Sequence, residues 1–356
     1  MISIVLGTRP EIIKMSPIIR ACQKEDVDFT VLHTGQHYSY EMDRIFFDEL
    51  GLPQPEYYLD VGSGAHAEQT GKIMAGIEKI YLDDTPDIAL VQGDTNTVLA
   101  GALAAAKLHV NVGHVEAGLR SFDRQMPEEI NRVVADHVSD LLFAPTENAK
   151  ENLLNEGIAD NKIYVTGNTV VDAVYQNREI AKKNSTILST MNVQTGAYFL
   201  VTAHRSENVD VKSRLSGILS ALIQIHDIYN LPVIFPMHPR TQKMMKEFEL
   251  DAQGITITQP IGYLVFLELE ANARLILTDS GGLQEESCIL NVPCVTLREN
   301  TERPETIEVG ANVLAGTDVD RIISAVERMV KSRRNWENPY GDGNAGKRIV
   351  KLCSEQ

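Results

Sequence analysis

Several acid–base side chains in this chain sit where a buried element gives way to a loop. Asp94 lies in Gln92-Gly93-Asp94-Thr95, and Glu116 ends the apolar run in Gly113-His114-Val115-Glu116-Ala117-Gly118-Leu119-Arg120. Glu128 opens Pro127-Glu128-Glu129-Ile130-Asn131-Arg132, and His204 ends Val201-Thr202-Ala203-His204-Arg205. Carboxylates grouped with one imidazole are the usual equipment for moving protons near neutral pH. A carboxylate at the end of a buried strand needs a partner or a task. Structural duties compete with that reading. Asp94 is placed to cap the helix that follows it. Glu116 can pair with Arg120, Glu128 can pair with Arg132 across one helical turn, and His204 can be a satisfied core histidine.

A second group of residues suits an anion. The first apolar run leads into Gly7-Thr8-Arg9-Pro10-Glu11, with Lys14 one turn on, and Pro after Arg9 marks a helix start. Cations beside a helix N-terminus favour phosphate. Thr278-Asp279-Ser280-Gly281-Gly282-Leu283-Gln284-Glu285-Glu286 repeats the theme without the cations. Its two glycines permit close backbone approach to a diphosphate, and Glu286 can accept hydrogen bonds from two ribose hydroxyls. Arg298 and Arg303 follow nearby. The sequence contains no GxGxxG after its first strand, no GxxxxGK[ST], no HExxH and no GxSxG, which weakens dinucleotide, P-loop, zincin and serine-hydrolase readings.

These loops need a scaffold of short buried strands. β-Branched apolar runs at 2–6, 29–33, 88–91, 110–115, 141–144 and 163–165, then 198–202, 232–235, 255–258, 275–278, 294–297 and 313–314, alternate with amphipathic stretches. Such runs, apolar throughout, predict parallel strands covered on both faces and an α/β class of two Rossmann-like, doubly wound sheets facing a cleft. The polar segment near 170–190 divides the chain into a domain over 1–170, completed by a last helix within about 340–356, and a second over 186–339. The 356 residues carry 33 Lys plus Arg against 49 Asp plus Glu, a formal charge of −16. That balance argues against nucleic-acid or anionic-membrane partners. Cys22, Cys288, Cys294 and Cys353 show no CxxC pair or zinc-like spacing, so reduced thiols, no metal and a cytoplasmic location are expected.

Together the motifs from Gly7 to Glu11, Gln92 to Thr95, Gly113 to Arg120, Pro127 to Arg132, Asp279 to Glu286 and Thr301-Glu302-Arg303-Pro304-Glu305 resemble the non-hydrolysing UDP-N-acetylglucosamine 2-epimerases, in order and over essentially the whole chain. The resemblance implies the two-domain fold shared with a large glycosyltransferase class, a homodimer, and no cofactor. It implies interconversion of UDP-N-acetylglucosamine and UDP-N-acetylmannosamine by elimination of UDP to 2-acetamidoglucal and re-addition. It places Asp94, Glu116, Glu128 and His204 in the catalytic set. Arg9, Lys14, Ser280, Gly281, Gly282 and Arg303 become nucleotide or diphosphate contacts, Glu286 a ribose ligand, Phe266 a neighbour of uracil, and the second domain the one that binds UDP. A UDP-sugar glycosyltransferase, a hydrolysing epimerase releasing N-acetylmannosamine and UDP, and an inactive nucleotide-sugar sensor are the alternatives. Bacterial members that bind an extra, activating substrate carry Gln-His-Arg and Arg-Gln-Thr; here the segments read Gln36-His37-Tyr38-Ser39 and Glu68-Gln69-Thr70. Without those arginines a hyperbolic rate curve is expected. Ile261 stands where some relatives have Gln, which removes a base contact.

Overall fold

The computed structural model describes residues 1–36 and 40–355, so the His37-Tyr38-Ser39 part of the sequence reading lies outside the described residues. The chain divides into two compact units, Met1–Gln176 with Tyr340–Gln356, and Asn177–Pro339.

Unit 1 holds β1 (Ile2–Leu6), β2 (Phe29–His33), β3 (Tyr57–Tyr58), β4 (Ile88–Gln92), β5 (Asn111–Val115), β6 (Leu141–Ala144) and β7 (Ile163–Val165). Its sheet runs in the order β3-β2-β1-β4-β5-β6-β7. Unit 2 holds β8 (Phe199–Thr202), β9 (Val233–Pro236), β10 (Ile255–Thr258), β11 (Leu275–Thr278), β12 (Cys294–Thr296) and β13 (Asn312–Leu314), ordered β10-β9-β8-β11-β12-β13. Every pairing is parallel. The expected α/β class with two doubly wound sheets is what the chain adopts.

In unit 1 the strand order reverses between β1 and β4, and in unit 2 between β8 and β11. Beyond the carboxyl ends of such strand pairs the connecting helices diverge, which is where ligands bind in open parallel sheets. The loops that leave these four strands carry Gly7-Thr8-Arg9, Gly93-Asp94, Ala203-His204 and Asp279-Ser280-Gly281. The topology therefore delivers Arg9, Asp94, His204, Ser280 and Gly281 to the switch points, whereas Glu116 follows β5, one strand away.

Packing explains the rest. Central strands are buried along their whole length (β1, β4 and β11 throughout), so they carry no polar face. In unit 1 the Ala-rich helix Asn96–Lys107 lies flat on the sheet, its alanines packed with Val91, Val98 and Val112. The C-terminal helix Ala345–Ser354 returns to unit 1 against the helix Arg9–Glu25. Asp172 fixes it there, accepting hydrogen bonds from the N–H groups of Ala345 (3.2 Å) and Gly346 (3.0 Å). β3, a two-residue edge strand, is absent from the sequence reading, so Asp94 follows the fourth strand and not the third. Among the described residues no helix is long and apolar enough to cross a membrane.

Candidate active site

Glu116 is the centre of unit 1. It follows β5 with a φ of 67°, a left-handed conformation that costs energy in a residue with a Cβ. The side chain is buried, and three donors converge on it. Lys14 Nζ lies 2.6 Å and Asn168 Nδ2 2.9 Å from Oε1, and Gln92 donates to Oε2. The three bonds come from different parts of the chain and fix the direction of the carboxyl group. The pairing with Arg120 weighed from sequence does not form. Arg120 instead meets Asp136 and Glu156, each at 2.7 Å. Asp136 also accepts from His114 Nδ1 at 2.6 Å and from the Gly118 N–H at 3.2 Å, which stiffens the loop on both sides of Glu116.

Asp94 follows Gly93, a residue whose added Cβ would lie 3.7 Å from Glu116 Oε2. Asp94 does not cap the following helix. Thr95 does, its hydroxyl accepting from the Val98 N–H, and Asp94 instead pairs with Arg132. The expected Glu128–Arg132 pair is replaced as well: Arg132 bridges Asp94 and Glu129, the latter at 2.9 Å. Glu128 is exposed at the first turn of its helix. Buried Glu129 accepts from the Ser121 and Phe122 N–H groups and so ties down the loop that precedes Glu128.

Glu11 joins the β1 and β4 loops. Its carboxylate accepts from the Gly7 N–H (2.6 Å), the Thr8 N–H (2.8 Å) and the Thr95 hydroxyl. Burial pushes its pKa up to about 7 despite those donors. Arg9 begins the same helix, with its guanidinium 5.6 Å from the Phe46 ring centroid.

In unit 2 a cavity of about 340 Å³ opens at the switch point, with Thr202, His204, His238, Ile261, Phe266 and Ser280 among its walls. His204 is aimed by Asp279, which lies 3.3 Å from its Nδ1. Asp279 also accepts from the backbone N–H groups of His204 and Arg205 and from Asn208 Nδ2. Burial alone would raise the Asp279 carboxyl, but His204 and these donors outweigh it and hold the group below the usual aspartate range. That arrangement leaves Nε2 of His204 for a ligand.

Ser280 precedes the helix Gly281–Ile289, whose first N–H groups lack helical partners. Neither glycine has positive φ, and a Cβ on either would approach nothing closer than 3.9 Å. The fold itself has no need of glycine there; the space suits a group from outside the chain. Glu286 is buried further along that helix. Arg303 lies 2.7 Å from Glu285, and Arg298 grips Glu302 with two bonds of 2.9 and 2.8 Å. The Arg298 guanidinium drives the Glu302 pKa down to about 2.

The family model described as UDP-N-acetylglucosamine 2-epimerase matches residues 20–354. This chain belongs to that family. Epimerases of this kind are isomerases, and the chain is an enzyme of that class. A UDP-N-acetylglucosamine 2-epimerase of Methanocaldococcus jannaschii is 60% identical over 99% of this chain and 98% of its own. The crystal structure of the epimerase from that organism, in complex with UDP-N-acetylglucosamine and UDP, has a TM-score of 0.89 at 59% identity, covering 100% of this chain and 99% of that one. A Pseudomonas aeruginosa UDP-2,3-diacetamido-2,3-dideoxy-D-glucuronate 2-epimerase is 42% identical over 99% of this chain and 98% of its own.

Within this epimerase, sequence reasoning missed four side chains that position the ones it found. Gln92 and Asn168 hold Glu116, Asp279 aims His204, and Glu11 locks two loops together. Burial of a polar residue at a strand end is the signal that Gln92 and Asp279 carried. Glu11 appears in the sequence only as the last residue of the Gly7–Glu11 motif, with no signal for its role.

Proposed function

We propose that the chain interconverts UDP-N-acetylglucosamine and UDP-N-acetylmannosamine without hydrolysis. The C2 hydrogen of the sugar has no adjacent carbonyl, so its direct loss leaves an unstabilised carbanion. Elimination avoids this. UDP departs from C1 with the bonding electron pair, a carboxylate takes the C2 proton, and a C1=C2 double bond forms. UDP then re-adds to C1 while a proton reaches C2 from the opposite face. Charge and redox balance close with no further reactant.

The observation that carries the reading is Glu116, a buried carboxyl group fixed by Lys14, Asn168 and Gln92 in strained backbone. It suits the base for one face of C2. Asp94 and Glu128 complete the carboxylate set, and His204, aimed by Asp279, serves the phosphates. In unit 2, Ser280, Gly281 and Gly282 cradle the diphosphate with Arg303, and Arg9 and Lys14 of unit 1 are kept as nucleotide contacts on the family resemblance alone. Glu286 takes the ribose, and Phe266 flanks the uracil from the wall of the cavity. A homodimer and a cytoplasmic location go with this reading. The Pseudomonas relative named above acts on a different nucleotide sugar, so the first substrate to test is UDP-N-acetylglucosamine.

Proton NMR in D₂O tests the proposal. The expected product is the manno isomer, deuterated at C2 and still carrying UDP. Free N-acetylmannosamine with UDP would establish the hydrolysing reaction, and no exchange at C2 would point to a transferase.

The open space at the glycines makes a separate prediction. Gly281→Ala and Gly282→Ala should leave folding intact, because alanine is the better helix former. Each should weaken UDP binding about tenfold by denying the diphosphate its backbone contacts. Titration calorimetry beside thermal melts separates the two effects, and unchanged affinity would refute the cradle.

Rate curves should be hyperbolic in substrate. Glu68 is exposed and paired with Lys72, and Gln69 is committed to the carbonyls of Gln36 and Gly62. Neither offers the cationic contact that a second diphosphate needs. A Hill coefficient clearly above one would overturn this.

A further inference from the structure

No residue of the C-terminal segment has a part in the reaction described above, yet that segment meets the loop that holds Glu116. The chain leaves unit 1 after Gln176 and re-enters it at Tyr340. At the point of re-entry the Tyr340 carbonyl accepts from the Asn168 N–H at 2.8 Å. Gly167 has a φ of 84°, and a Cβ there would lie 3.1 Å from the same carbonyl oxygen. Glycine suits both the positive φ and this close approach of two backbones. Further along, Arg348 Nη1 donates to the Thr166 carbonyl at 3.1 Å. Asp342 aims that guanidinium through bonds of 2.8 and 2.7 Å. Three successive residues, Thr166, Gly167 and Asn168, are thus gripped by the returning chain.

Asn168 stands between this grip and the carboxyl group. Its Oδ1 accepts from the Val170 N–H at 3.0 Å, at the start of the helix Thr169–Asn184, and its Nδ2 donates to Glu116 Oε1 at 2.9 Å. With its backbone N–H and its amide oxygen both engaged, the side chain presents its N–H₂ group in one direction. The last helix does not need the loop to stay in place. Ile349, Val350 and Cys353 are buried, and Asp172 already accepts from the first N–H groups of that helix. We propose that the returning segment positions Glu116, with Tyr340 and Arg348 holding the loop Thr166–Asn168 so that Asn168 fixes the direction of the carboxyl group. The inference rests on the assignment of Glu116 to proton transfer given above. Arg348 is then a positioning residue that acts through Asn168. A misplacement of about 1 Å at a reacting group can cost about 10²-fold in rate, so loosening the segment should slow proton transfer and leave substrate binding nearly as it was.

The test is a kinetic double-mutant cycle on the full chain with UDP-N-acetylglucosamine, exchange at C2 read by NMR in D₂O and stability by thermal melts. Asn168→Ser keeps an oxygen to cap the helix but falls short of Glu116, and should lower kcat about thirtyfold with KM within about twofold. Arg348→Met removes the donor to the Thr166 carbonyl. It should lower kcat about fivefold with KM again within about twofold and Tm within about 3 °C of the parent. Arg348→Lys retains one donor and should recover turnover to within about twofold of the parent. The double variant should be no slower than Asn168→Ser alone, whereas independent effects would multiply to about 150-fold. Glu116→Gln is the reference. If it exchanges at the parental rate, the reading of the reaction fails and this inference falls with it. If Glu116→Gln is slow while Arg348→Met exchanges like the parent, the role of the C-terminal segment alone is overturned. Multiplied effects in the double variant, or a rise in KM larger than the fall in kcat, would likewise overturn it.

Discussion

Glu116→Gln should lower turnover by about 10³-fold, the middle of the range for loss of a positioned acid–base group. The amide keeps the shape of the carboxylate but removes the charge and most of the basicity. It also suits its surroundings poorly. Lys14, Asn168 and Gln92 all present hydrogens to this side chain, and a Gln offers one acceptor oxygen where Glu offers two. One donor must therefore meet an N–H₂ group, at a cost of about 1–3 kcal/mol to the fold. The kinetic and structural effects are separable because thermal melts read the fold while exchange at C2 reads the proton transfer. Glu116→Asp supplies the second variant: it keeps the charge, shortens the reach, and should recover part of the exchange at C2. Deuterium incorporation into substrate and product, followed by NMR, reads the step directly. Parental exchange rates in Glu116→Gln would remove this residue from the mechanism.

The architecture was legible because its signal is local. Strands buried on both faces appear as apolar β-branched runs, and most observed strands begin or end within one residue of the run that announces them. β3 escaped because two half-buried tyrosines at a sheet edge carry no periodicity. The site was legible as a set of residue types and much less as a set of partners. Asp94 is separated by 38 positions from Arg132, and Asn168 by 52 from Glu116, so no helical or strand spacing connects them. Local rules offered a cap for Asp94 and an i,i+4 pair for Glu128. Both lost to longer contacts, since Thr95 was available to cap and Arg132 could neutralise two acids at once. The resemblance named the candidate carboxylates, while the residues that hold them needed coordinates.

Asp279→Asn should be the most damaging change to unit 2. The carboxylate is fully buried and receives the N–H groups of His204 and Arg205, the amide of Asn208 and the ring of His204. An Asn side chain turns one acceptor into a donor in the midst of donors, which costs about 3 kcal/mol and lowers Tm by roughly 9 °C. The loss must depend on pH with a fixed sign. A carboxyl held below its unfolded value contributes stability that is fully present above the ordinary aspartate pKa of about 3.9. That contribution disappears as pH falls through the lower native value. The gap between parent and variant should be complete at pH 7 and narrow only in acid, below the ordinary aspartate value. Turnover should fall in parallel at neutral pH, because His204 loses the partner that aims its ring. The single tryptophan, Trp336, lies in unit 2 and donates to the Cys288 carbonyl at 2.9 Å, so its fluorescence reports unfolding of this unit. Melts followed at that signal from about pH 1.5 to pH 8 give the whole curve. An unchanged Tm at pH 7, or a gap that stays constant into acid, would show that Asp279 does not carry the charge that organises the loop.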